Sequence, residues 1–327
     1  MTDLPKTVFI NEEGPREGFQ IEKGSISTSQ KIELIDSLSE TGLRQIQVCS
    51  MVSPKLVPQW ADAEAVARGF IRKPGVRYTA LWLNDRGFER ARAVGTLDME
   101  GRISLTCSEA FLRRNQNRTQ AENSAAQTDS VAKYLACGLS VEKVSLMAAF
   151  GCNFEGDILP GRVLEMVREA LRIAEVAGVT IRVVSLADTM AWATPQRIHQ
   201  TVGAVREAYP DLELGLHLHD TRGLGIANAF AGLQMGVAIF DASVAGLGGC
   251  PFAANTGAAG NVCTEDLVFM CEEMGIETGI DLDRLLESAR LAQRVVGHDL
   301  PGSVKDGGTL RVLRKGSGSG SQSGRAS

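Results

Sequence analysis

The chain has 327 residues, 44% of them hydrophobic, a formal net charge of −5 and a pI near 5.6. This length is sufficient for one large α/β barrel or for two modest domains. The acidic balance and the lack of a long basic run argue against a nucleic-acid surface, so we expect a small-molecule partner.

Short strand-like runs alternate with helix-like segments along most of the chain. The predicted strands cover residues 8–11, 45–49, 76–83, 103–107, 141–149, 179–186, 212–219 and 238–243. Helix start signals stand before 31–39 and 196–208. Eight strand-helix repeats predict an α/β fold, a (β/α)8 TIM barrel. A doubly wound sheet is the alternative, but no Gly-x-Gly-x-x-Gly follows the first strand.

The C-terminal part is predicted to add helices to the barrel and then to become flexible. Helical patterns cover 264–274 and 281–296, so residues 1–300 are predicted to form one domain. Residues 301–327 would be a C-terminal extension that is Gly/Ser-rich and flexible from Gly316.

The loop after the first predicted strand contains adjacent opposite charges. Arg16 offers a planar fork for an enolate or a carboxylate, and Glu17 offers an oxygen to a metal. A solvated ion pair on a turn is the alternative for this dipeptide. Gln47 and Ser50, at the end of the second strand, are candidates for substrate binding.

Two later strands also end in polar residues. Asp188 follows the sixth strand, either as a catalytic base or as a helix N-cap. His217 and His219 close the seventh, and residues two apart in a strand point to the same face. Both imidazoles can therefore bind one metal, although a core histidine beside a locally bonded one would give the same pattern.

A glycine-rich loop with a thiol follows the eighth strand. Cys250 lies in this loop, whose flexibility would let the thiol reach a substrate, although many loop cysteines are inert. Asn261 could complete a metal site with Glu17, His217 and His219. This mixed oxygen and nitrogen set favours Mg²⁺ or Mn²⁺.

The seven cysteines form no CxxC pair, which suits free thiols in a reducing compartment. We identify no targeting leader and no apolar run of about 18 residues. We therefore expect a cytoplasmic protein without a membrane segment.

Five motifs in order, at 14–18, 50–55, 217–221, 243–251 and 260–266, resemble hydroxymethylglutaryl-CoA lyase. The resemblance runs from about residue 8 to residue 292. It implies a metal-dependent TIM-barrel lyase that cleaves a 3-hydroxy-3-methylglutaryl thioester into acetyl-CoA and a 3-oxo acid. By motif, His217, His219 and Asn261 would bind the metal, Arg16 would stabilise the thioester enolate, and Cys250 would be the catalytic thiol. A homodimer is also expected.

The chain departs from the family pattern at two positions. Glu17 replaces an Asp and Gln47 replaces an acidic residue, so the resemblance implies an altered metal site and a shifted substrate, such as citramalyl-CoA. The alternatives are a Claisen-type acyltransferase of the same superfamily, against which the Cys250 loop argues, and a non-catalytic paralogue that binds acyl-CoA or metal.

Overall fold

A parallel sheet of eight strands forms the centre of the molecule in a computed structural model that describes residues 4–248 and 260–317. The strands are β1 (Phe9–Glu12), β2 (Gln45–Ser50), β3 (Arg77–Leu81), β4 (Gly101–Thr106), β5 (Val141–Met147), β8 (Val183–Ala187), β9 (Glu213–His217) and β10 (Ile239–Ala242), while β6 (Gly151–Cys152) and β7 (Gly156–Asp157) form a separate hairpin. The spatial order of the sheet is β3-β2-β1-β10-β9-β8-β5-β4.

Helices surround this sheet. They are α1 (Phe19–Ile21), α2 (Thr28–Ser39), α3 (Ala63–Gly69), α4 (Asp85–Val94), α5 (Glu109–Gln116), α6 (Gln120–Ala136), α7 (Pro160–Ala177), α8 (Pro195–Ala208), α9 (Gly225–Gln234), α10 (Thr264–Glu273), α11 (Leu282–Val296), α12 (Val304–Gly307) and α13 (Leu310–Ser317), with a π-helix at Gly14–Gly18 and 3-10 turns at Pro58–Trp60 and Val244–Gly246. Local signals fix several of their starts. Ser27 and Gln30 form a capping box at α2, and proline opens α7 and α8.

The two faces of the strands differ in chemistry. Side chains that face the helices are aliphatic and buried, such as Ile46, Val144 and Leu216. Their inward neighbours are polar, such as Gln47 and Ser145. The apolar core therefore lies between the sheet and the helices, and the interior of the barrel remains a polar cavity instead of a packed core.

The barrel wall is not continuous, because within the described part of the chain no ladder joins β3 to β4. Polar side chains of α6 instead bind the backbone of the β4 edge. Gln127 Oε1 accepts from the Ser104 amide at 2.8 Å, and Asn123 Nδ2 donates to the Ser104 carbonyl at 3.4 Å. Gln120 Nε2 donates to the Thr106 carbonyl at 2.9 Å. The edge groups are thereby satisfied while the wall stays open at this seam.

The structure confirms the TIM-barrel prediction and all eight predicted strands, with shifted ends. The prediction that the seventh strand extends to residue 219 is wrong, because β9 ends at His217. The predicted helices at 264–274 and 281–296 are α10 and α11. Beyond residue 300, α12 and α13 form, and residues 318–327 lie outside the described residues. No helix within the described ranges is both long and apolar enough to cross a membrane.

Candidate active site

The two histidines at the end of β9 lie side by side although the strand ends between them. His217 is the last strand residue, and His219 is held by an antiparallel bridge to Asn261. Their ring centroids are 5.1 Å apart. Both rings therefore face one side, as their spacing in the sequence predicts.

A close approach between two loops brings Asn261 to this position. The Asn261 amide donates to the Leu247 carbonyl at 3.4 Å, and the Asp220 amide donates to the Gly260 carbonyl at 2.7 Å. A Cβ on Gly260 would lie 1.9 Å from the Gly248 carbonyl oxygen, so no larger residue fits there. The strand end and residues 260–261 are consequently packed against each other.

Glu17 joins the histidines from the π-helix that follows β1. Its Oε1 lies 3.1 Å from His219 Nε2, and its Oε2 lies 3.9 Å from His217 Nε2. Burial would raise the pKa of the Glu17 carboxyl, but Arg16 and the two imidazoles hold that pKa well below its usual value. Glu17 is thus an ionised carboxylate between two Nε2 atoms.

The opposite nitrogen of each imidazole has its own acceptor. His217 Nδ1 lies 3.2 Å from Asp241 Oδ2, and His219 Nδ1 lies 2.8 Å from the Asp188 carbonyl oxygen. A ring that donates through Nδ1 presents the lone pair of Nε2 to the site, an arrangement typical of metal ligands. Burial lowers the pKa of His217, but the bond to Asp241 and the charge of Glu17 outweigh it and raise the pKa to about 9.

This group of side chains fits a divalent cation. The ligand atoms of Glu17, His217 and His219 lie within 4.8 Å of one another. Asn261 Nδ2 donates to Ser243 Oγ at 2.7 Å, whereas Asn261 Oδ1 is buried without a hydrogen-bond partner in the part of the chain that the structure describes. A buried amide oxygen left in this state is satisfied if it binds a cation. Asn261 as a ligand remains a prediction.

Arg16 is held in the wall beside this group. Its Nε donates to Gln47 Oε1, and its Nη2 donates to Glu13 and lies 2.9 Å from Glu17 Oε2. The Trp60 indole donates to the Arg16 carbonyl at 3.0 Å. Burial raises the pKa of Glu13 although Arg16 lowers it. Arg16 therefore carries a fixed positive charge among three polar partners.

A cavity of about 250 Å³ opens at the C-terminal ends of the strands and is lined by Arg16, Glu17, Gln47, His217 and His219. A second cavity, of about 300 Å³, lies deeper in the barrel. The two share residues that lie in the strands or directly after them, namely Glu13, Gln47, Trp82, Arg102, Ser145 and Asp241. The candidate site is the upper part of a continuous polar interior.

Two other predicted site residues, Asp188 and Ser50, do not line the upper cavity. Asp188 Oδ1 accepts from the Trp192 amide at 2.7 Å, and burial raises the pKa of this carboxyl. Asp188 is not the N-cap of α8, which is Thr194. The Ser50 hydroxyl accepts from a nearby amide, and Ser50 does not line the upper cavity. Cys250 lies outside the described residues.

Sequence reasoning did not assign roles to Glu13, Asp241 or Arg102. Glu13 stands in the loop of Arg16 and Glu17, and this proximity is its only signal in the sequence. Asp241 is the strand partner of His217 in the parallel register of β9 and β10. Arg102 is an inward position of β4. The contact of Asp241 with His217 and the inward direction of Arg102 depend on strand register, which the sequence does not specify.

The HMGL-like family matches residues 7–292 of this chain. The chain belongs to the HMGL-like family. Mitochondrial hydroxymethylglutaryl-CoA lyase of Homo sapiens is 42% identical over 288 residues, which cover 88% of this chain and 85% of that protein. Hydroxymethylglutaryl-CoA lyase of Bacillus subtilis is 37% identical over 305 residues, 91% of this chain and 96% of that protein.

Solved structures agree with this relationship. An HMG-CoA lyase from Acinetobacter baumannii in complex with coenzyme A and 3-methylmalate matches with a TM-score of 0.84 and 37% identity, covering 95% of this chain and 98% of that chain. The HMG-CoA lyase of Bacillus subtilis matches with a TM-score of 0.85 and 35% identity, covering 95% and 99%. The family resemblance in the sequence motifs is thereby confirmed.

Proposed function

We propose that this HMGL-like protein is a divalent-metal-dependent lyase that cleaves 3-hydroxy-3-methylglutaryl-CoA to acetyl-CoA and acetoacetate, using Mg²⁺ or Mn²⁺. The observation that carries the proposal is the convergence of Glu17, His217 and His219 at the mouth of a cavity, beside the unpaired buried oxygen of Asn261. A related acid such as citramalyl-CoA is a second substrate of the same chemistry. A cytoplasmic homodimer remains the prediction from the sequence.

The cleavage needs a base, a stabilised enolate and a proton donor. The hydroxyl proton passes to the base, the bond between C2 and C3 breaks, and its electron pair moves onto the thioester oxygen. When bound, a divalent cation polarises the substrate oxygens and lowers the cost of the developing negative charge. Proton uptake at C2 then gives acetyl-CoA.

The side chains of this protein fit these roles. Arg16, held by Glu13, Gln47 and Glu17, places a positive charge in the cavity wall, where it can stabilise the enolate. Asp188 is the proposed base. It does not line the upper cavity, but its carbonyl oxygen lies 2.8 Å from His219 Nδ1, and its buried Oδ2 has no hydrogen-bond partner within the described ranges. Cys250 is the proposed donor of the proton to C2.

Gln47 favours a second candidate function, a non-catalytic protein that binds acyl-CoA and metal. Its side chain contributes no charge to the site, and its amide oxygen accepts a bond from Arg16. This candidate predicts that the thioester binds without turnover.

Acetyl-CoA release from 3-hydroxy-3-methylglutaryl-CoA with Mn²⁺ tests the proposal. We expect turnover that a chelator abolishes and that falls at least about 100-fold in His219→Ala, because a metal ligand is lost. His199→Ala is the matched control, since His199 is exposed on α8, away from the site. Thioester binding without acetyl-CoA release would refute the lyase and support the non-catalytic candidate. Condensation of acetyl-CoA with 2-oxo acids would indicate the acyltransferase.

A further inference from the structure

Arg102 is a cation in the barrel interior that the proposed chemistry does not use. It lies on β4, is partly buried, and lines both the upper and the deeper cavity. Its guanidinium carbon lies 5.9 Å from the Trp82 ring centroid. Within residues 4–248 and 260–317 its side chain has no hydrogen bond or ion pair.

Arg16, the other arginine of the upper cavity, and two cations of the deeper cavity are neutralised by carboxylates. Arg16 contacts Glu13 and Glu17. Arg77 and Lys143 both contact Glu100, at 2.7 and 2.9 Å. An unneutralised guanidinium in a sheltered cavity attracts an anion strongly, because competition from water and salt is weaker there.

The position of Arg102 indicates where that anion would belong. In the order of the sheet, β4 is four strands from β10 in one direction and, across the open seam, four in the other. Arg102 therefore faces the cavity from the side opposite β10, whose Asp241 orients His217. A ligand that contacts both walls needs a polar head at the histidines and an anionic group at its far end.

The side chains around Arg102 are held in place by hydrogen bonds, and they line the cavity. The Trp82 indole donates to the Tyr134 hydroxyl at 2.9 Å, which fixes the ring beneath the guanidinium. Ser104 and Ser130 line the same cavity at the seam between β4 and α6. The upper cavity reaches this seam, where Arg102 lines it together with residues of α6, so the end of an acyl chain can lie beside Arg102.

We propose that Arg102 determines specificity by binding the free carboxylate of a dicarboxylic acyl-CoA. Its planar fork matches a carboxylate in a bidentate pair. In 3-hydroxy-3-methylglutaryl-CoA this carboxylate stands two bonds beyond the carbon that carries the hydroxyl, so the reacting atoms remain at the Glu17 side. The inference rests on the proposed function for the identity of the thioester, but its test does not require turnover.

The test compares two thioesters that cannot be cleaved because they lack the 3-hydroxyl. One is 3-methylglutaryl-CoA, and the other is 3-methylpentanoyl-CoA, in which a methyl group replaces the carboxylate. Dissociation constants are measured by calorimetry with Mg²⁺ present. We expect the wild type to bind the first about 10- to 100-fold more tightly, as for hydrogen bonds to charged groups.

Substitutions at Arg102 test whether this residue causes the preference for the carboxylate. Arg102→Met removes the charge and should reduce the preference to less than about twofold, while Arg102→Lys should keep part of it. Arg44→Met is the matched control, since Arg44 lies over the Phe9 ring at 5.1 Å and lines only the deeper cavity of the two.

Each outcome separates this proposal from the lyase proposal. Equal binding of the two thioesters by the wild type, or a preference that persists in Arg102→Met, overturns the role of Arg102. If Arg102→Met does not fold, the wild-type comparison and Arg102→Lys decide. A preserved preference without acetyl-CoA release from 3-hydroxy-3-methylglutaryl-CoA refutes the lyase alone.

Discussion

The proposed role of His217 as a metal ligand predicts that metal binding depends on pH. Its pKa is raised to about 9, so below that pH a cation must displace a proton from the ring. One proton released per cation predicts that the dissociation constant of Mn²⁺ rises about tenfold for each unit by which the pH falls below that value. Titrations at pH 6.5, 7.5 and 8.5 measure this slope. A flat profile in the wild type would contradict the role of His217, and His217→Asn should remove this contribution to the slope.

The charge at position 47 is predicted to change the affinity of the site for a cation. Gln47 accepts from Arg16, and Glu17 contacts the same guanidinium. Gln47→Glu would add a negative charge near the metal ligands and should tighten Mn²⁺ binding about fivefold. Gln45→Glu is the matched control, because Gln45 lies two residues earlier on β2 and lines the deeper cavity. Unchanged or weaker binding in Gln47→Glu would contradict the prediction.

At the residue scale, chemistry that is local in the sequence could be predicted. The spacing of His217 and His219, the charged Glu17 and the amide Asn261 indicated a metal site, and the structure places the first three within ligand distance of one another. Asp241 could not be assigned in this way, because its contact with His217 arises from the parallel register of two strands. Register depends on tertiary packing.

Glu12 links the elements that support the site. Its carboxyl group accepts from the Gly14 amide at 2.7 Å, the Val244 amide at 2.8 Å and the Thr264 hydroxyl at 2.7 Å. It thereby joins the end of β1 to the π-helix, the 3-10 turn after β10 and α10. Burial raises the pKa of Glu12 to about 8.

The raised pKa gives a stability prediction with a definite sign. The folded state keeps a proton on Glu12 that the unfolded chain loses above about pH 4.5. The stabilisation of the folded state by this proton is therefore complete at low pH and is lost as pH rises through about 8. Between these two pH values the free energy of unfolding falls by about 1.4 kcal/mol per pH unit because of Glu12. Urea unfolding of the wild type and of Glu12→Gln at pH 6 and 7.5 should show a steeper loss in the wild type.

The control for this comparison is within the protein. Burial also raises the pKa of Glu265, to about 7, but Glu265 is present in both proteins and cancels in the difference. Equal pH slopes for the two proteins would show that Glu12 does not retain its proton in the folded state.

At the element scale, the alternation of apolar and polar residues predicted the strands but not all of their ends. β9 stops at His217 because the next residues bond to another partner, with the Val262 amide donating to the Leu218 carbonyl at 2.8 Å. The open seam at β4 also could not be predicted, because Gln120, Asn123 and Gln127 resemble ordinary helix surface residues.

At the scale of the whole molecule, the barrel carries polar residues inside and apolar residues between sheet and helices. The eight strand-helix repeats of the sequence predicted a barrel, but they did not predict a cavity. Small inward side chains such as Ser104, Ser145 and Ser185 leave space that larger residues would fill. This space allows a substrate to lie across the barrel.

The predicted boundary at residue 300 can be tested by truncation, since the next residues contact the loop that supports the site. The Gly302 amide donates to the Ala245 carbonyl at 3.1 Å, and the Val304 amide donates to Asp266 at 2.8 Å. Arg290 donates to the Lys305 carbonyl at 2.8 Å. A chain that ends at residue 300 loses these bonds, and we expect its Tm to fall by about 5 °C or more.

A chain that ends at residue 308 is the matched control, because it keeps those contacts and loses α13. That helix contacts the rest of the molecule in part through exposed ion pairs, such as Arg311 with Glu272, which contribute little to stability. The longer chain should therefore retain the wild-type Tm and Mn²⁺ affinity, whereas the shorter one should also bind Mn²⁺ more weakly, because Ala245 and Gly246 support residues 260–261. Equal behaviour of the two truncated chains would place the domain boundary at residue 300, as the sequence predicts.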